Sequence, residues 1–211
     1  MLQIVALILG QLANNTYLIA DSDSCEAAVI DPACDGHLIA TEARQRCWQV
    51  GQIWITHAHF DHIGGVADLV RELEKPPMIA LHPNDRLLWD TQGGVSLFGV
   101  TLPASPAPTI ELAERTPLHL GRIPFETRHT PGHTPGHCVF YCAPDGVCFC
   151  GDLIFQNSVG RTDLPGGDWR ALETSIRSQV FVLPDETRLL PGHGPETTVG
   201  HEKSEKPFVQ A

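Results

Sequence analysis

Four side chains able to bind metal fall within six residues, in Thr56-His57-Ala58-His59-Phe60-Asp61-His62. In an extended segment, side chains two apart project to one side, so His57 and His59 can share an ion. Asp61 continues that spacing, and His62 adds an imidazole as a helix begins. Once later ligands arrive, the cluster exceeds what one tetrahedral ion needs. Burying these groups without a cation would carry desolvation and repulsion costs. A second motif, His129-Thr130-Pro131-Gly132-His133-Thr134-Pro135-Gly136-His137, has Pro-Gly pairs that fix a loop and can aim His133 inward. His129 and His137 stay open between orienting ligands and bonding within the loop. With nitrogen donors in excess, Asp152 after Gly151 reads as a bridging carboxylate, and His193, in Pro191-Gly192-His193-Gly194-Pro195, completes the set. His37, His82, His119 and His201 stand in no motif and read as surface or hydrogen-bonded core residues.

The elements needed to position these groups can be read from periodicity. Leu2–Ile8 and Tyr17–Ala20 read as paired strands, Ala27–Ile30 as a third, 35–47 as a helix and 53–55 as an apolar strand. Val66, Leu69, Val70 and Leu73 lie at i, i+3, i+4 and i+7 and predict a helix after the first cluster. Residues 91–117, rich in Pro, Gly and Thr, read as an irregular excursion. Strands are predicted at 123–128, 138–141 and 147–150, the last two joined by the turn Pro144-Asp145-Gly146. Asp168 is expected to cap a helix with Trp169, Leu172 and Ile176 on its apolar face. A short strand at 188–190 leads to His193. Every ligand motif therefore follows a strand or lies in a loop beyond one, where rigid elements can make polar groups converge.

The chain has 211 residues, 42% apolar and 18% charged, which suits one globular domain over 1–211, with two small lobes as the alternative. Its net charge of −11 comes from 25 acidic against 14 basic residues without a basic cluster, so nucleic acid is not an expected partner. Bound cations would offset part of that charge. The run Met1–Gly10 is too short to span a bilayer and lacks a basic n-region, so it reads as a buried strand and no membrane partner is expected. Seven cysteines cannot all pair, and no C-x-x-C occurs. Cys138, Cys142, Cys148 and Cys150 read as reduced core residues, which fits a cytoplasmic location.

Taken together, H-x-H-x-D-H, the later Thr-Pro-Gly-His, the Gly-Asp after a strand and the final Gly-His resemble the metallo-β-lactamase superfamily. The order, Gly160-Arg161-Thr162-Asp163-Leu164-Pro165, and the ending Gly-His-Gly-Pro-x-Thr-Thr resemble its short glyoxalase II-like hydrolases. That resemblance runs from Asn15 to Phe208. It implies an α/β fold, an αββα sandwich with the metal site at one edge of its two sheets. It gives His57, His59 and His133 to one ion and Asp61, His62 and His193 to the other, with Asp152 bridging. Two divalent ions are expected, zinc first, with iron or manganese also compatible. Such a pair would turn a shared water into hydroxide to attack a small thioester of the S-D-lactoylglutathione type, with Asp61 also orienting the nucleophile.

The resemblance also leaves rivals. A lactonase would share the ligand set. A persulfide dioxygenase would use one iron on His57, His133 and Asp152, although Gly194-Pro195 stands where those enzymes tend to carry Asp-Tyr. Full-length glyoxalase II binds glutathione through basic residues on a C-terminal helical extension, whereas 18 residues follow His193 here. Arg161, Lys203 and Lys206 are therefore the candidates to hold a substrate carboxylate.

Overall fold

A computed structural model describes residues 1–99 and 101–205. The first sheet contains β1 (Leu2–Leu9), β2 (Asn14–Asp21), β3 (Glu26–Ile30), β4 (Gln49–Trp54), β5 (Met78–Leu81) and β6 (Ile110–Glu111), in that spatial order. Its first three strands pair antiparallel and its last three add in parallel. Parallel neighbours need crossovers. Helix α1 (Gly36–Gln45) joins β3 to β4, while α2 (Phe60–Ile63) and α3 (Val66–Glu72) lie between β4 and β5.

Helix α4 (Arg86–Asp90) and a 3₁₀ turn at Gln92–Phe98 precede β6. The second sheet uses β7 (Pro117–Leu120), β8 (Ile123–His129), β9 (Cys138–Cys142), β10 (Val147–Gly151), β13 (Arg188–Pro191) and β14 (Thr197–Thr198), ordered β14-β13-β10-β9-β8-β7. A small hairpin, β11 (Ile154–Phe155) with β12 (Ser158–Val159), follows β10. Helix α5 (Trp169–Ser175) runs on into a wider π turn, and α6 (Val199–Glu205) follows β14. Each sheet is thus built from one contiguous stretch of chain.

Three apolar clusters fill the three spaces between four layers. Ile19, Ile30 and Trp54 of the first sheet meet Phe125, Phe140 and Phe149 of the second in the central space. Leu18, Val29 and Ile53 face the other way, onto Ile39 and Ala43 of α1 and Val66 and Leu69 of α3. On the far side Val139, Cys148 and Cys150 meet Leu172 of α5 and Ile176. Residues alternate between spaces along each strand, as the two-residue period requires. Both faces of the inner strands are covered, so they read as unbroken apolar runs. The expected αββα layering is present. The cysteines of β9 and β10 are buried and form no disulfide, filling small gaps in two of the three spaces.

Several expectations need correction. β1 is an edge strand, not a buried one: Ile8 is 71% exposed, because one edge of β1 has no partner and its outer face is only partly covered. Trp169 is 41% exposed at the first position of α5, where the helix has not yet turned its side chains onto the sheet. The excursion at 91–117 is irregular for most of its length but contains β6, which adds to β5 through two residues, and it ends where β7 begins. β5 and α4 carry too short a pattern to be read from sequence.

Candidate metal centre

The ligand-bearing segments leave the sheets at strand ends. His57 and His59 follow β4, in a segment held extended up to His59 (φ −67°, ψ 150°). Asp61 and His62 lie in the single turn of α2 that starts there. His133 sits in the loop from β8 to β9, Asp152 directly after β10, and His193 two residues after the end of β13. β10 and β13 run parallel, which places these last two at neighbouring strand ends. Gly151 makes the tight exit from β10: its φ is +47°, and a Cβ there would lie 2.5 Å from Thr56 Oγ1.

All seven side chains converge. His133 Nε2 lies 2.9 Å from His59 Nδ1 and 3.2 Å from His57 Nε2. His193 Nε2 lies 3.3 Å from Asp61 Oδ2, and His62 Nε2 lies 3.3 Å from Asp152 Oδ1 and 3.7 Å from Asp61 Oδ2. Asp152 Oδ2 stands 3.7 Å from the Nε2 atoms of both His133 and His193, so this carboxylate faces both groups. Within each of the sets His57–His59–His133 and Asp61–His62–His193, one donor atom per residue lies within 4.8 Å of the others.

The hydrogen bonds fix which ring nitrogens face inward bare. His133 Nδ1–H donates to the Arg161 carbonyl and His193 Nδ1–H to the Leu12 carbonyl. His62 Nδ1–H donates to Asp31 Oδ2. Thr56 Oγ1 donates to Asp31, so it accepts from His57 Nδ1–H. A neutral imidazole with one nitrogen donating presents a lone pair on the other. Two such lone pairs, on His57 and His133, face each other at 3.2 Å, and only a proton or cation between them relieves the repulsion. His62 Nε2 and Asp152 Oδ1 are buried without a hydrogen-bond partner, a costly arrangement unless something else binds there. The donor set therefore fits divalent metal.

Charge states agree. Burial and the adjoining imidazoles push His57 well below its usual range and His59 down to about 3, leaving both as neutral donors. Burial would raise Asp152, but His62 and His133 outweigh it and hold the carboxyl at about 2. Burial likewise opposes charge on His62, yet Asp152 and Asp61 raise it well above the usual histidine range, so a proton there stands in for a cation.

Among the less certain residues, His137 is buried and accepts the Asp152 backbone N–H on Nε2 while bonding Thr130 Oγ1 through Nδ1; it orients the Asp152 segment. His129 is the last residue of β8, donating to the Pro135 carbonyl and stacked on His82 at 4.0 Å. Three residues not singled out in the sequence also matter. Asn14 donates to Asp61 Oδ2 and lies 3.3 Å from His193 Nε2. Asp31 holds Thr56 and His62. Asp85 accepts from Ala58 N–H, Thr134 Oγ1 and Gly136 N–H, tying the two ligand loops together. Asp31 could have been found, since like Asp152 it directly follows an apolar strand; Asn14 and Asp85 carry no comparable signal.

The centre opens into a cleft of about 1000 Å³. Arg161 lines it, with its guanidinium bound through Nε and Nη2 to the two oxygens of Asp163, each at 2.7 Å. Lys203 is not in the cleft: α6 carries it to Asp185, 2.6 Å from its Nζ. Lys206 lies outside the described residues.

The metallo-beta-lactamase superfamily profile matches residues 9–193, and the chain belongs to that family. Among curated relatives it is 37% identical over 203 residues to the probable metallo-hydrolase YqgX of Bacillus subtilis, covering 95% of this chain and 94% of that one. It is 33% identical over 206 residues to the hydroxyacylglutathione hydrolase GloC of Haemophilus influenzae, covering 93% of each. Among solved structures it superposes on BLEG-1 B3 metallo-beta-lactamase with a TM-score of 0.91 at 34% identity over the whole of both chains. On TTHA1623 in a di-iron-bound form the TM-score is 0.87 at 38% identity, covering 97% of this chain and 99% of that one.

Proposed function

We propose that this chain is a binuclear metal-dependent hydrolase of acyl thioesters, with hydroxyacylglutathione-type compounds the first to test. The observation that carries the reading is the convergence of seven donors around two buried atoms, His62 Nε2 and Asp152 Oδ1, which face each other at 3.3 Å and make no hydrogen bond among the described residues. His57, His59 and His133 would hold one ion, Asp61, His62 and His193 the other, and Asp152 both. The names of YqgX and GloC support hydrolysis, and the di-iron form of TTHA1623 supports a pair of ions while widening the choice of metal beyond zinc.

When bound, two ions would acidify water and polarise an acyl carbonyl. The chain's own groups do the rest. Asp31 and the Leu12 and Arg161 carbonyls lock the imidazoles in the tautomer that leaves Nε2 bare. The Asn14 amide donates to Asp61 Oδ2 and so fixes how that carboxylate is turned. Asp61 can then orient an attacking water by its other oxygen. A thiolate leaves without strong protonation, so a cleft with no acidic group besides the candidate metal ligands among its described lining residues suits a thioester better than an amide. The substrate is a small molecule in this reading, and the cytoplasm its expected location; among the described residues no helix is long and apolar enough to cross a membrane.

The test is hydrolysis of S-D-lactoylglutathione by metal-replete protein, with Asp152→Ala as control. Turnover lost in the variant, together with about two metal equivalents per chain in the parent, is the expected result. No turnover with two bound ions would reject the thioester and turn attention to lactones and, given the name of BLEG-1, β-lactams. A single iron with oxygen uptake on glutathione persulfide would replace the reading with a dioxygenase on His57, His133 and Asp152.

A further inference from the structure

The cleft beside the centre is charged at its floor and apolar on its walls. Leu12, Phe60, Leu87 and Leu88 of α4, Phe155 and Leu164 line it. Leu87 is 76% exposed and Leu12 is 52% exposed. Large apolar side chains left open around a reactive centre are what an apolar ligand group would cover.

The charged side of recognition is already engaged. Among the described residues lining the cleft, Arg161 is the one cationic side chain, and both oxygens of Asp163 occupy its fork. A carboxylate anchor is expected to be an open, bidentate guanidinium or an ammonium. Here Asp163 holds the Nε–Nη2 edge of the guanidinium, so an incoming carboxylate is left the Nη1–Nη2 edge, beside the negative charge of Asp163. The remaining polar lining away from the ligands, Asn84 and Thr91, is uncharged.

We propose that the site selects its substrate by an apolar acyl group, with the carboxylates of a glutathione-type thiol half contributing little to binding. This inference rests on the thioester reading above but concerns which part of the ligand is recognised, so the two can fail separately.

Thioethers bind without being hydrolysed and test it directly. The S-methyl and S-hexyl derivatives of glutathione and of N-acetylcysteamine, which lacks both carboxylates, would be titrated calorimetrically into the metal-loaded protein. Burying half of the five-methylene difference is expected to tighten hexyl over methyl about 30-fold on either thiol. At equal chain length the two thiols should differ less than about threefold, an expectation for groups that stay solvated. Leu87→Gln, at a position 76% exposed, should remove much of the hexyl advantage, whereas Arg161→Ala should leave glutathione binding nearly unchanged. Equal binding of methyl and hexyl forms, a tenfold preference for glutathione that Arg161→Ala abolishes, or no binding by any of the four would overturn the proposal. Hexyl-dependent binding without turnover of any S-acyl compound would instead sink the thioesterase reading and leave this one standing.

Discussion

Asp85 is the residue whose loss should be felt furthest from its own position. Its carboxylate takes one hydrogen bond from the backbone between His57 and His59 and two from the His133 loop. Asn at this position has a single acceptor oxygen, so Asp85→Asn must release or weaken at least one buried donor, at a cost of about 1–3 kcal/mol. The expected outcome is a lower melting temperature together with reduced metal retention by the His57–His59–His133 set, read as metal equivalents after dialysis. Unchanged metal content alongside a lowered melting temperature would reduce Asp85 to a purely structural part. At this scale the sequence showed which candidate ligands converge and hid their supports. Ligands cluster because neighbouring side chains must reach one point, whereas Asp85 sits 51 residues from Gly136 and Asn14 sits 47 from Asp61, distances over which no local pattern survives.

Each element ends where its ligands begin, and the backbone at those ends is tightly constrained. Gly151 and Gly146 both hold positive φ, +47° and +60°, but only Gly151 is crowded, by Thr56 Oγ1 and His137 Nε2 at 2.5 and 2.9 Å from where a Cβ would be. Gly146→Ala should therefore cost about 1 kcal/mol, the strain of the left-handed backbone alone. Gly151→Ala should cost about 2–4 kcal/mol, adding the displacement of two side chains that position the centre. Denaturant titration of the two variants checks the order, and equal costs would mean the exit from β10 yields easily. Strands with both faces covered were legible as apolar runs, as in β9 and β10. β6 was not, because a two-residue strand at the rim of a sheet is specified by its partner β5 rather than by its own sequence.

On the scale of the whole molecule, four layers and three apolar spaces follow from alternation that the sequence displays, while edge and rim positions follow from what happens to be adjacent. The N-terminal run is the clearest case: its composition suits a covered strand, and its place at the end of the sheet leaves part of it open. The sheets divide the chain as well as the core, since β1 to β6 use residues 2–111 and β7 to β14 use residues 117–198. His57, His59, Asp61 and His62 belong to the first half, and His133, Asp152 and His193 to the second. On the proposed ligand sets, neither half would complete a metal site by itself. A break in the backbone between Glu111 and Pro117 would sever one connection and no strand, so two co-expressed fragments should find each other through the central apolar space. Their association should tighten about 10-fold or more on adding metal and weaken on chelation, as mass action on a shared ligand set requires. Fragments that assemble equally well in chelator would show that the apolar seam suffices. If metal is needed, the centre is also a fastener, and the gene could be cut in two with catalysis itself reporting when the pieces meet.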